Sequence, residues 1–284
     1  MYDDSFGSAL KRGYMAMPVA IRTIITICLV MFIITMLGAA QFLVSLFAFD
    51  PDPVVTFTQP WRLITYMFLH ASPLHIIFNM LWLWWMGRAV EEQLGPRNFS
   101  VLFFGAGIGG ALINTAVVAL LGGGNVTIGA SGGVLGIMVC FAMMFPRMPI
   151  MLIFLPPIEA RFIVAGLILI DVLFLGAGDN VARIVHLGGA FTGFVLLKLY
   201  YSGYHYDLWI ELFMKKFKRK PKKSAGSSGG TGRRGAMHSV SDAEVVDEEE
   251  QSELDRILEK ISKEGYEGLT DKEKKALFEL SKRN

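Results

Sequence analysis

Six apolar runs set the terms on which this chain can fold. They extend from Ile21 to about Phe42, from about Leu74 to Met86, from Phe99 to Leu121, from Ser131 to Phe145, from Ile163 to Leu175 and from Ile184 to Tyr200. About 20 apolar residues cross a bilayer as a helix. The expected fold class is therefore all-α: a polytopic membrane protein built on a six-transmembrane-helix bundle. The charge content agrees, at 18% against about 25% in ordinary soluble domains. Cys28 and Cys140 both sit inside apolar runs, with neither a disulfide framework nor metal-ligand spacing. Met1 to Gly13 carries Asp3 and Asp4 and does not read as a cleaved signal.

Loop charge orients the spans. Lys11, Arg12 and Arg22, then Arg88 and Arg97, then Arg147 and Arg161, then the basic tail all fall on one face, whereas the other face has Arg62 and Arg183. The positive-inside rule puts both termini in the cytoplasm. The expected organisation is a cytoplasmic arm over 1–18, a membrane domain over 19–203, a linker over 204–250 and a small helical hairpin over 251–284. The linker is basic at Lys215 to Lys223, Gly/Ser-rich from Ser224 to Gly235 and acidic from Asp242 to Glu250. Its basic cluster suits anionic membrane lipids. Thr270-Asp271-Lys272-Glu273 has the spacing of a capping box ahead of a last helix. For the hairpin, a cytoplasmic partner and a passive solvated tail are both open.

Polar residues inside such spans carry the functional signal. Gly129-Ala130-Ser131-Gly132-Gly133 opens the fourth run. Glycine costs a helix roughly 1 kcal/mol against alanine, but it leaves a neighbouring hydroxyl uncovered and lets backbones meet. A nucleophilic serine and a small-residue packing face are the two readings of this stretch alone. Histidines elsewhere shift the balance. The second, fourth and sixth runs start on the same, non-cytoplasmic side, and each bears a polar group near that start: His75 with Asn79, Ser131, and His186. His75 and Asn79, four apart, share a helix face. The fourth run spans only ~22 Å as a helix, so Gly122 to Ala130 is expected as irregular backbone at membrane depth, beside a wet cavity. His186 is the candidate general base and Ser131 the candidate nucleophile. The Ser131 N–H, the Asn79 amide and His75 are candidate oxyanion donors. Gly189 and Gly193 would let the sixth helix press on the fourth.

Taken in order, these residues resemble the rhomboid intramembrane serine proteases, over roughly Trp61 to Gly193. Trp61-Arg62 resembles the family's Trp-Arg pair, His75 to Asn79 its His-xxx-Asn motif, and Glu91 with Gly95 its Glu-xxx-Gly. Gly129-Ala130-Ser131-Gly132 resembles its Gly-x-Ser-Gly, and His186-Leu187-Gly188-Gly189 followed by Gly193 its histidine motif. The resemblance implies a Ser131–His186 dyad, a structural role for His70, and cleavage of transmembrane protein substrates in or near their membrane segments. A bacterial inner (plasma) membrane is the expected location. Two positions depart from the family pattern: Leu135 stands where an aromatic residue is frequent, and Val185 where a small one is.

Asp171 in the fifth run would complete a Ser-His-Asp set, but the family works with a dyad, and a carboxyl hydrogen-bonded between helices is the plainer reading. No metal set, cofactor loop or nucleic-acid signature is visible. A non-catalytic relative that binds transmembrane helices is the main rival, although such relatives typically lack the serine or histidine. A transporter finds no support in matched inverted repeats.

Overall fold

Prolines and glycines decide where the helices begin and where they turn. The computed structural model describes residues 6–151, 156–175, 180–208 and 211, together with 256, 257, 260, 268–270, 273 and 274. The chain divides into two units, Met1–Lys220 and Pro221–Asn284. In the first unit the N-terminal arm carries a helix, α1 (Phe6–Met15), and Pro18 then precedes α2 (Val19–Ile34). Gly38, at φ 102°, kinks the chain in a π-helical turn that joins α2 to α3 (Ala40–Phe47). The first span thus runs past Phe42 to Phe47. Pro53 opens α4 (Pro53–Thr58), which Asp52 caps through the N–H groups of Val54 and Val55. A missing N–H costs nothing in a helix's first turn, which suits proline there.

After the short α5 (Arg62–Thr65), Ser72 caps α6 (Pro73–Leu121) by accepting from the His75 N–H. A straight helix of those 49 residues would be ~74 Å long, more than twice the ~30 Å hydrocarbon layer. It does not run straight. Gly95 leaves helical space at φ 78°, with Pro96 behind it. A Cβ placed on Gly87 would sit 3.4 Å from the Phe99 ring, although twelve helical residues span ~18 Å. The two halves of α6 therefore fold back on each other, and the second and third apolar runs form one hinged element.

The remaining elements are α7 (Ser131–Met144), an antiparallel pairing of β1 (Pro149–Ile150) with β2 (Ile158–Glu159), α8 (Ala160–Leu173) and α9 (Asn180–Tyr201). The two-residue strands lie between α7 and α8. α7 is buried on all sides from Gly132 to Phe141 and packs mainly on α6 and α9, while α2 lies against α6. A helix apolar all round belongs at the centre of a bundle. Outside, Leu37, Phe42, Phe162, Leu169, Leu173 and Phe191 are exposed. Such an exterior fits lipid rather than water. Among the described residues, Val19–Phe47, Pro73–Leu121 and Ala182–Tyr201 are helices long and apolar enough to cross a membrane. The first unit is that of an all-α integral membrane protein.

In the second unit Thr270 and Glu273 exchange the two bonds of a capping box. The Glu273 carboxylate accepts from the Thr270 N–H at 2.8 Å, and Thr270 Oγ1 accepts from the Glu273 N–H at 3.4 Å. Lys260 Nζ reaches the same carboxylate at 2.9 Å. The rest of the expected hairpin, and the linker beyond Glu211, lie outside the described residues.

Candidate active site

The segment 122–130 is irregular, and its backbone finds partners within the protein. Gly122, Gly123, Gly124 and Gly129 all have positive φ. Phe49 and Thr127 exchange N–H···O bonds of 2.9 and 2.8 Å, and the Gly129 N–H donates to the Tyr66 carbonyl at 3.0 Å. Tyr66 is fully buried and donates its own hydroxyl to the Gly107 carbonyl. The segment is exposed over 122–126 and becomes buried at Gly129 and Ala130, where these bonds satisfy its non-helical backbone. Gly129 is required twice over: its φ is 130°, and a Cβ there would lie 2.7 Å from His75 Nε2. The segment delivers Ser131 as the first residue of α7. No side chain caps that helix, so its first N–H groups and its positive end face whatever binds beside Ser131.

Glycines then set the distance to α9. A Cβ on Gly189 would collide with the Gly132 backbone, one on Gly193 with Gly136, and one on Gly188 with Gly110. Backbones this close need small residues on both faces. The close approach carries His186 to the serine: its Nε2 lies 2.6 Å from Ser131 Oγ. On the other side of the ring, Nδ1 lies 3.1 Å from Asp171 Oδ2. A carboxylate only accepts, so this contact matches an imidazole with its proton on Nδ1 and its Nε2 lone pair toward the Ser131 hydroxyl. That geometry suits removal of the serine proton.

His75 and Asn79 face the same space. Ser131, His186, Asp171, His75 and Asn79 all line one cavity of about 660 Å³, with Phe78, Trp82, Leu135 and Leu167 among its apolar walls. His75 Nδ1 accepts a long bond, 3.4 Å, from the Ala71 N–H, which favours the proton on Nε2 beside Gly129. The Asn79 amide donates to the His75 carbonyl at 2.8 Å and carries a second N–H. His70 is buried with its ring edge-on to His75, centroids 5.0 Å apart.

The other motif residues lie away from the cavity and hold the scaffold. Trp61 Nε1 donates to the Leu46 carbonyl. Arg62 donates to the Ala48 and Ser45 carbonyls and to Gln59, tying α5 to the end of α3. Glu91, buried, accepts from the Ala20 and Ile21 N–H groups at 2.8 and 2.9 Å, a carboxylate at the first-turn donors of α2, which have no partner within their own helix. Gly95 is the hinge of α6. Among the described residues no group of three His, Cys, Asp or Glu is placed to hold a metal ion. The sequence raises Asp171 as a third member of a Ser-His-Asp set and favours a carboxyl hydrogen-bonded between helices; the helix partner in the structure is His186 itself. The available signal was a lone acidic residue between Ala160 and Leu173.

A family model described as the Rhomboid domain matches residues 58–203, more than half of the chain, and one described as a family of unknown function (DUF6576) matches 247–283. The rhomboid protease GlpG of Salmonella paratyphi A is 40% identical over 75 residues, 26% of this chain and 27% of the relative. Two Arabidopsis thaliana proteins match over 149 residues, 52% of this chain. RHOMBOID-like protein 1 is 31% identical, with 36% of its length covered. RHOMBOID-like protein 6, mitochondrial, is 32% identical, with 46% covered. The matched segment thus spans less than half the length of each of these relatives. The chain belongs to the rhomboid family.

Proposed function

We propose that this rhomboid-family chain is an intramembrane serine endopeptidase that cleaves membrane-protein substrates in or near their transmembrane segments. The observation that carries the reading is the 2.6 Å separation of Ser131 Oγ and His186 Nε2 at the uncapped head of α7. Ser131 Oγ attacks the scissile carbonyl carbon while its proton passes to His186 Nε2, and the C=O π pair becomes the oxyanion. The Ser131 N–H, the second Asn79 N–H and His75 Nε2–H stabilise that charge, assisted by the α7 dipole. Collapse breaks the C–N bond, and the amine leaves with the proton from Nε2. Water then hydrolyses the ester by the same route, returning the proton to Ser131. No cofactor takes part.

The membrane arrangement belongs to the same proposal. The helical unit crosses the bilayer six times, through α2–α3, the two halves of α6, α7, α8 and α9, with both termini cytoplasmic. The linker over 204–250 and the hairpin over 251–284 form a separate cytoplasmic part, the hairpin available to a partner and the basic cluster to lipids. A bacterial inner membrane is the proposed location.

The test is cleavage of a single-span model protein by detergent-purified full-length chain, beside Ser131→Ala and His186→Ala. Each substitution is expected to abolish cleavage in a folded protein, and the double variant to lose no more, because the two residues act as a unit. Robust cleavage by folded Ser131→Ala overturns the mechanism. If the wild type binds the single-span protein but leaves it uncut, the non-catalytic, helix-binding reading replaces it.

A further inference from the structure

We propose that Asp171 is a positioning residue for His186, so that a carboxylate from α8 sets the tautomer and rotation of the histidine that serves Ser131. The inference rests on the reading of Ser131 and His186 as the reacting pair. Asp171 lies two residues before the end of α8, in a helix whose other charged residue is Arg161 at its start. A carboxyl group among membrane helices is costly unless it is paired, and such groups normally face one another or a wet cavity. Asp171 does both. It lines the cavity and its Oδ2 meets His186 Nδ1 at 3.1 Å. With the 2.6 Å contact from Nε2 to Ser131 Oγ, three side chains on α8, α9 and α7 form one continuous chain of polar contacts.

Each end of that chain constrains the other. A neutral imidazole has one N–H, and the hydrogen bond at one nitrogen decides the state of the other. A carboxylate at Nδ1 holds the proton there, so Nε2 is the acceptor. Without it, the Nε2–H tautomer is also populated, and that form cannot take the serine proton. The apolar cavity residues Leu135 and Leu167 offer no hydrogen bond to the ring. When the Ser131 proton reaches Nε2, the ring becomes a cation, and the carboxylate against Nδ1 stabilises it. Asp171 itself gains no proton and touches neither substrate nor the breaking bond.

The size of the effect follows from exposure. In a buried serine-protease triad, changing the aspartate to asparagine costs about 10⁴-fold in turnover. Here the Asp171 and His186 side chains are 17% and 27% exposed, so water can partly replace the carboxylate. The expected loss is about 10- to 1000-fold.

The experiment uses full-length protein in detergent, wild type beside Asp171→Asn and Asp171→Ala. It reads kcat and KM on a single-span model protein, the rate at which a fluorophosphonate labels Ser131, and the His186 tautomer by ¹⁵N NMR. Both variants are expected to lose at least tenfold in kcat with KM within twofold, and labelling should slow in step. Asn should be no better than Ala, because its amide can donate to Nδ1 and hold the proton on Nε2. The wild type should show the proton on Nδ1 and the variants a mixture or the reverse. A fall of three- to tenfold at unchanged KM still supports the role. The proposal is overturned by a folded Asp171→Asn with kcat within threefold of wild type, or by Asn restoring activity that Ala loses, which is the mark of mere packing. Where Asp171→Ala does not fold, the near-isosteric Asn variant carries the comparison. If neither folds, the wild-type tautomer decides, and a proton on Nε2 overturns it. A wild type that neither cleaves nor labels sinks the protease reading instead, and the tautomer measurement still decides whether Asp171 governs the ring.

Discussion

Gly189→Ala tests whether helix contact at α7 and α9 sets the distance between serine and histidine. The added Cβ would lie 2.7 Å from the Gly132 carbonyl carbon and 3.0 Å from its Cα, with the carbonyl oxygen nearer still. Ordinary contact begins near 3.4 Å, so the α7 backbone has to retreat by about 0.7 Å or more. The obstacle is backbone on both sides, which has no rotamer to yield. Gly132 is adjacent to Ser131, and Gly189 is one turn from His186, so this retreat opens the 2.6 Å contact. Misplacement by about 1 Å can cost a catalytic site on the order of 10²-fold. The stability change is smaller. Overpacking costs about 1–3 kcal/mol, and alanine returns roughly 1 kcal/mol of helix propensity. The predicted variant is therefore folded, only modestly destabilised, and 10- to 100-fold slower in cleavage and in fluorophosphonate labelling. Gly166→Ala in α8 is the control, because nothing lies within 4 Å of a Cβ there. It should gain slightly in thermal stability and keep wild-type rates. A folded Gly189→Ala that cleaves and labels within twofold of wild type would refute the argument.

Asn79→Ala should lower kcat by roughly 10- to 10³-fold with little change in KM, as expected for one lost oxyanion donor; a rise in KM at unchanged kcat would make Asn79 a binding residue. Glu91→Ala leaves the Ala20 and Ile21 N–H groups without their acceptor and should cost about 3–6 kcal/mol, from two hydrogen bonds to a charged group worth about 1.5–3 kcal/mol each. Thermal unfolding in detergent reads that loss, and an unchanged midpoint would contradict it. In the second unit, the Thr270 N–H and then the Lys260 ammonium hold the Glu273 carboxyl at about 2, below its ordinary 4.5. Because the folded value is the lower one, the contribution to stability is complete above pH 4.5 and is lost as pH falls through about 2. A ¹³C titration of Glu273 checks this, with Lys260→Ala moving the midpoint upward and a wild-type midpoint near 4.5 refuting it.

Much of this protein is legible without coordinates, because the information is local. Apolar runs announce helices in a membrane. The i, i+4 spacing puts His75 and Asn79 on one face, and glycines before and after Ser131 mark both the irregular entry and the close packing of α7. The ordered motifs also identify the family. Even the Thr270–Glu273 box is visible, since its two partners are three residues apart.

What only the tertiary structure decided are pairings between helices distant in sequence. Glu91 meets Ala20 and Ile21 across some 70 residues, Arg62 reaches Ser45 and Ala48, Phe49 joins Thr127, and Asp171 finds His186. Periodicity says which face of a helix is apolar, but not how far that helix is rotated or how deep it sits against its neighbour. A shift of one residue turns an α-helix by about 100° and advances it 1.5 Å, enough to aim Asp171 at lipid instead of at the imidazole. The sequence by itself therefore determined the helices and the reacting residue types. Glycine contacts between α7 and α9, which no single segment contains, bring His186 to Ser131, and the placement of α8 beside them decided that a carboxylate stands behind the histidine.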